Sequence, residues 1–295
     1  MAPHPTVEVV DDQIVVGETT DPVRPPKKRR RVRTIVIAVV VALVVLVVAA
    51  VLWFFLGREQ ARQVDDTQAI EKFQQSGGGS SSAVEGLPDA GVYRATADGT
   101  ESIGVPGMDE GLGPNAPVTV THGDGGCFTY RVDFNSHHWR NWTFCPTADA
   151  TYAVTGFQSW TYRSAPGISV DSLGTYVCET PIAYLWSGSV AGDTRSGSCT
   201  GTASDSDGVT ADAQELEVLD RTTLEVDGQT VDVVHVRSTD TITDAQEGTE
   251  VDEWWLDAST GLPLKIVTDA KVKISGSDYE ESATLTLLSL VPATS

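Results

Sequence analysis

Two hydrophobic patterns divide this chain. From Ile35 to Leu56 the side chains are apolar without interruption, closing on Trp53, Phe54 and Phe55, with no charge, proline or glycine. At about 1.5 Å per residue such a run extends roughly 33 Å as a helix, against about 30 Å for the hydrocarbon core of a bilayer. Lipid offers no partner to an open backbone, so residues 34–56 are expected to form one transmembrane helix. A cleaved signal peptide is the competing reading. Its apolar core would be shorter, about 7–15 residues, and would end at small residues rather than bulky aromatics. From Val92 onward the pattern changes to short segments rich in Val, Thr, Tyr, Phe and Trp, separated by Gly, Pro, Asn and Asp. These are strands and turns. Strands are predicted at 92–97, 117–122, 127–134, 138–145, 151–163, 169–178, 182–188, 215–226, 230–241, 249–257, 263–274 and 279–290. The stretch 192–208, dense in Gly, Ser, Thr and Asp, is expected to be loop.

Two turns carry register. Asp227-Gly228 between alternating runs is a strong hairpin signal. It sets Leu224 opposite Val231, Thr222 opposite Val233, Asp220 opposite His235 and Val218 opposite Arg237. The second turn is Ser259-Thr260-Gly261-Leu262-Pro263, between two long strands. The four cysteines, Cys127, Cys145, Cys178 and Cys199, all follow the apolar run. An even number in an oxidising compartment implies disulfides, with three possible pairings. Zinc is the alternative, but no Cys-x-x-Cys is present. Pairing Cys127 with Cys145 sets Phe128 opposite Phe144 and Tyr130 opposite Trp142 on one face, and Thr129 opposite Thr143 and Arg131 opposite Asn141 on the other. One face is aromatic and one polar, as a half-buried sheet requires. The loop of this hairpin would be Asn135-Ser136-His137. Sequential pairing, 127–145 and 178–199, is therefore expected.

Charge adds an orientation. Lys27 to Arg33 is a basic cluster immediately before the apolar run, and only Arg58 and Arg62 follow closely. Basic residues stay on the cytoplasmic side. The expected protein is a single-pass cell-membrane protein with its N-terminus cytoplasmic and its C-terminal domain extracellular. The domain boundaries follow: a disordered cytoplasmic tail at 1–33, the helix at 34–56, a stalk and Gly/Ser linker at 57–90, and an extracytoplasmic β domain at 91–292. Net charge is −21, and residues 1–33 hold seven basic against five acidic side chains, so the outer part is more acidic still. Nothing there neutralises phosphates, which excludes a nucleic-acid partner.

Candidates for chemistry are few. His137-His138 are expected on a solvated turn with diverging side chains. Asp220 and His235 form a cross-strand pair, but no Gly-x-Ser-x-Gly turn supplies a nucleophile. Asp205-Ser206-Asp207-Gly208 holds a fragment of a calcium loop without the remaining ligands. Of Trp254-Trp255, one is expected in the core. No enzyme, cofactor or metal site is expected.

Three stretches carry a resemblance: Gly91-Val92-Tyr93-Arg94, the Cys127–Cys145 segment, and Glu253 to Lys265. The last is similar to the Trp-x-x-Asp-x-x-Thr-Gly-x-Pro hairpin of the lipoprotein carriers of Gram-negative periplasm and the mycobacterial lipid-carrier lipoproteins. The whole resembles actinobacterial membrane-anchored ectodomains. The resemblance implies a mainly β fold, a curved, incompletely closed antiparallel β-barrel of about 10–12 strands, with helices filling its mouth and acyl chains in its concavity. The chain departs by carrying an apolar anchor instead of a lipidated Cys, and by having little helix between strands. The candidate cavity residues are Phe128, Tyr130, Trp142, Phe144, Leu264, Ile266, Val272, Ile274, Leu285 and Leu287, with the acidic residues mostly outside. Two functions compete. One is an envelope binding or sensing module for a lipid or other apolar ligand. The other is an interaction ectodomain with a filled core that binds another envelope protein. The anchor itself makes membrane lipid a partner.

Overall fold

The structure, a computed structural model, describes residues 28–77 and 85–295. The expected tail up to Lys27 and the linker from Gly78 to Ser82 lie outside the described residues. The chain divides into two compact units between Leu52 and Trp53. The first is formed by helix α1 (Lys28–Gly57), whose last turn enters the second. Within the apolar span Val32–Gly57, the side chains from 32 to 53 are exposed on every side. The span is long and apolar enough to cross a membrane.

The second unit is one antiparallel sheet. Its strands are β1 (Gly91–Tyr93), β2 (Ala95–Ser102), β3 (Glu110–Gly111), β4 (Val118–His122), β5 (Phe128–Asn135), β6 (His138–Cys145) and β7 (Tyr152–Ala165). They continue with β8 (Ile168–Leu185), β9 (Thr194–Ala203), β10 (Thr210–Val226), β11 (Gln229–Asp244), β12 (Gln246–Asp257), β13 (Pro263–Ile274) and β14 (Ser277–Leu287). From β4 to β14 each strand pairs with the next, while β1 adds outside β4 and β2 outside β14. Since only Arg94 separates β1 from β2, one extended segment touches both ends of the sheet. The sheet must therefore curl, and it forms an open half-barrel.

The hairpin registers are as the turns predict, with two local exceptions. Across Asp227-Gly228, Leu224 faces Val231, Thr222 faces Val233 and Asp220 faces His235. A bulge at Leu219 then moves Val218 opposite Val236 instead of Arg237. Both disulfides form as expected, Cys127–Cys145 and Cys178–Cys199. The aromatic pairs Phe128/Phe144 and Tyr130/Trp142 face each other, the first stacked at 5.0 Å. Beyond Asp133 a bulge at Phe134 shortens the connection to the two-residue turn Ser136-His137, in place of the three-residue loop expected.

Two segments differ from expectation. Residues 194–203 are strand β9, not loop. Gly201 explains both the structure and the misreading. A Cβ there would meet the Tyr176 ring at 2.4 Å, so this strand needs small residues where the ring covers its backbone. The stretch after α1 is no free stalk. The Ser136 N–H donates to the Arg62 carbonyl and the Arg62 N–H to Ser136 Oγ, and Asn115 Nδ2 donates to the Val64 carbonyl at 2.8 Å. Helix α2 (Asp66–Gln75), started by a capping box on Asp65, buries Ala69 and Phe73 against Ala90 and Val92.

Inward-facing positions alternate along every strand, but their chemistry changes along the strand axis. On β12 the inward series runs Leu256, Trp254, Asp252, Glu250; on β11 it runs Val234, Val236, Ser238, Asp240. On β10 it runs Leu216, Gln214, Asp212, and on β6 Phe144, Trp142, Arg140, His138. One half of the interior is apolar and filled. Trp254 meets the rings of Trp142, Tyr184 and Phe144 at 5.0, 5.3 and 6.3 Å. The other half is polar and open.

Candidate functional site

The open half is a cleft with a cavity volume of about 440 Å³. The hairpin ends of β7–β8 and β13–β14 rim it, with Ser169, Asp171, Ser275 and Asp278 exposed there. Its walls include Val105, Phe157, Val170, Tyr176, Ile242, Val272 and Ile274. Tyr176 stacks on Phe157 at 4.4 Å, and its hydroxyl is 2.9 Å from Gln246 Oε1. At the inner end lie Arg140, Trp142, Tyr184, Asp212, Gln214, Asp240, Glu250, Asp252 and Glu281.

Most of the described acidic residues lie outside, as expected, with six exceptions. Glu101, Asp133, Asp212, Asp240, Asp252 and Glu281 are buried. The reason is parity. Each of the last four shares an inward-facing register with core residues of its own strand, and the half-barrel offers those positions a cleft in place of packed side chains.

The inner groups fall into two sets. The first is an ionic network of Arg140, His138 and Arg163 with four glutamates. Arg140 Nη2 is 2.5 Å from Glu250 Oε1, and its Nη1 is 3.6 Å from Glu281. His138 lies 3.4 Å from Glu281 and 3.5 Å from Glu101. Arg163 pairs with Glu101, and with Glu110 at 3.1 Å. Burial disfavours charge on His138, but Glu101 and Glu281 outweigh it and raise its pKa. Glu281 is likewise opposed by burial, yet Arg140 and His138 bring it down to about 2.

The second set is three aspartates without a basic partner of their own, on three adjacent strands. Gln214 Nε2 donates to Asp212 Oδ2 and to Asp240 Oδ2, both at 2.9 Å, and Ser238 Oγ donates to Asp240 Oδ1 at 2.6 Å. Asp240 sits directly across from Glu250, and Asp252 across from Ser238. Like charges so placed repel in a low-dielectric site. Burial first, and Glu250 next, push Asp212 up to about 7. Burial pushes Asp240 and Asp252 well above the usual carboxylate range, with Asp212 the next cause for Asp240 and Glu250 for Asp252. Asp212 Oδ1 and Asp252 Oδ1 are buried and have no hydrogen-bond partner. Among the described residues, no three His, Cys, Asp or Glu side chains converge as metal ligands would.

The ten apolar residues expected to line a cavity separate. Phe128, Tyr130, Phe144, Leu264, Ile266, Leu285 and Leu287 are sealed in the filled core. Trp142 stands at the boundary, and Val272 and Ile274 are on the cleft wall. The large rings meeting across the interior close that half, so of the ten only Trp142, Val272 and Ile274 border open space. His137 and His138 are buried and not on a solvated turn. His137 Nδ1 lies 3.1 Å from Glu110, and His138 Nδ1 3.0 Å from Thr161. Asp220 and His235 do pair, at 3.6 Å, with Glu253 at 3.2 Å and the imidazole stacked on Trp255 at 4.0 Å. Trp254 is the core member of its pair. The aspartates and Arg140 escaped the sequence reading. The signal for them was a polar residue two or four places from a core residue on the same strand.

The chain matches no family model, no curated protein and no solved structure.

Proposed function

We propose that this protein is an extracytoplasmic binding module held at the cell membrane by α1, with its ligand in the half-barrel cleft. The supporting observation is that the inward positions of β8 and β10–β14 leave about 440 Å³ open beside a packed core. This volume falls in the range of small-molecule sites, about 300–1,000 Å³, and the cleft combines apolar and aromatic wall residues with a polar inner end. The filled half favours the second reading in part: its large rings give the sheet a rigidity that needs no ligand. Orientation follows the basic flank of α1, with the sheet outside. Protease added to intact cells is then expected to digest the β unit and spare the N-terminus. A mature protein beginning after Leu56 would remove the anchor from the proposal. Native mass spectrometry of the full chain, purified in detergent from its own membranes, tests the binding reading. Added mass of a few hundred daltons, lost when the cleft is filled by Ile274→Trp, is the expected result. A chain free of ligand that no small molecule stabilises would leave the interaction-ectodomain reading.

A further inference from the structure

Resting on that reading, we infer that the cleft selects an organic cation, an amine with an aromatic or alkyl body, whose nitrogen sits among Asp212, Asp240 and Asp252. Four observations converge on this class. The three carboxyls lie on neighbouring strands at the inner end of a cavity, each buried, none with a guanidinium or ammonium partner of its own. Asp212 Oδ1 and Asp252 Oδ1 are buried acceptors without donors, a costly condition that a bound N–H donor relieves. The adjacent walls are aromatic. Tyr176 and Phe157 form a stacked pair, and Trp142 and Tyr184 line the cleft beside the acids, so the body of an organic cation has aromatic surface to pack on. Finally, the basic group in reach is already countered by charge, although its Nη1 has no hydrogen-bond partner. Arg140 lies between Glu250 and Glu281 and so does not offer a free charge to an anionic head group.

An inorganic ion fits less well. The carboxyls do not converge with metal-ligand geometry among the described residues, whereas an alkylammonium needs only two or three acceptors and an apolar wall. Without a ligand the aspartates hold protons near neutrality, Asp212 with a pKa of about 7. An entering cation favours their ionised forms, so binding releases protons and strengthens as the pH rises through that range. The other titratable groups facing these carboxyls are Arg140 on β6, Tyr176 and Tyr184 on β8, Glu250 on β12, and Tyr279 and Glu281 on β14. The tyrosines are pushed further from neutrality by burial, and Glu281 is ionised throughout the range.

The test is calorimetric titration of the full chain in neutral detergent with three probes of one shape: phenethylammonium, 2-phenylethanol and 3-phenylpropionate, with calcium chloride as a fourth. The expected result is binding of the ammonium at least tenfold tighter than of the alcohol or the acid. Proton release should be detectable in buffers of different ionisation enthalpy, and affinity should rise between pH 5.5 and 7.5. Asp212→Asn and Asp252→Asn should each weaken it tenfold or more. Thermal unfolding of each variant checks its fold, and Ile274→Trp, which fills the wall without touching the acids, should abolish binding independently. Tighter binding of the alcohol, the carboxylate or calcium overturns the cation assignment while leaving a ligand cleft standing. Binding of the ammonium that survives both Asp variants and Ile274→Trp overturns it as well. Failure of every probe, together with absence of any co-purified ligand, overturns both this inference and the binding reading beneath it.

Discussion

Asp212→Asn is the most informative perturbation of the fold itself. Asp212 is 3 % exposed, and burial with Glu250 nearby lifts its pKa from the ordinary 3.8 to about 7. A carboxyl with a raised folded-state pKa stabilises the native state as the neutral acid. That contribution is complete below the unfolded value and is lost as the pH rises through about 7. A shift of roughly three pKa units corresponds to about 4 kcal/mol in all, of which roughly 2.5 kcal/mol is lost between pH 5 and 8.5. For a unit of this size that is roughly 5–10 °C in Tm. His138, whose pKa is also raised, adds to the decline in the same direction. Glu281, held down at about 2, contributes in full across this window and is lost only in stronger acid. Asparagine cannot ionise but still offers Gln214 an acceptor. The variant should therefore unfold near the wild-type temperature at pH 5 and several degrees above it at pH 8.5. The assay is thermal unfolding of the full chain in detergent, followed by near-ultraviolet circular dichroism at half-unit pH steps. A wild-type Tm that is flat or rising over this range would refute the reasoning, as would a variant that keeps the whole slope.

Replacing Cys178 and Cys199 together by Ser should cost about 2–5 kcal/mol, read from denaturant midpoints without reductant. Ile266→Ala, in the filled half, should cost about 2–5 kcal/mol and leave ligand retention unchanged, since its side chain does not reach the cleft. Loss of ligand at unchanged stability would show that the core and cleft are wrongly divided. Arg140→Met removes the guanidinium shared by Glu250 and Glu281 and should cost about 3–5 kcal/mol at pH 7. The deficit should shrink in acid as the freed carboxyls take up protons; a deficit independent of pH would argue for lost packing instead.

Much of the fold is legible in the chain because it depends on nearest neighbours. The unbroken apolar run from Ile35 to Leu56 is helical for want of any other partner for its backbone. The Asp227-Gly228 turn and the Cys127/Cys145 pair determine their registers because alternation has a period of two, and one face must be apolar. The exceptions, the bulges at Leu219 and Phe134, are single inserted residues that leave the pattern of polar and apolar positions on either side intact. Strand β9 was hidden for a different reason. Its Gly201 suits the Tyr176 ring of the adjacent strand, and its Gly197 the close approach of Thr180 and Ile182, contacts that exist only once β8 and β9 have paired.

The candidate site divides along the same line. That Asp212, Asp240 and Asp252 face inward was written in the parity of each strand, two or four places from Leu216, Val236 and Trp254. That they meet depended on registers accumulated across β10, β11 and β12, each sensitive to a one-residue slip. That the space in front of them stays open depended on the curl of the whole sheet. Trp254 reaches Trp142, Phe144 and Tyr184 across the filled half, while the acids and small residues beside them do not span the gap. Local sequence determines which way a strand residue points, because the pleat alternates. Only the tertiary structure decides what it points at, because that is set by residues a hundred positions away.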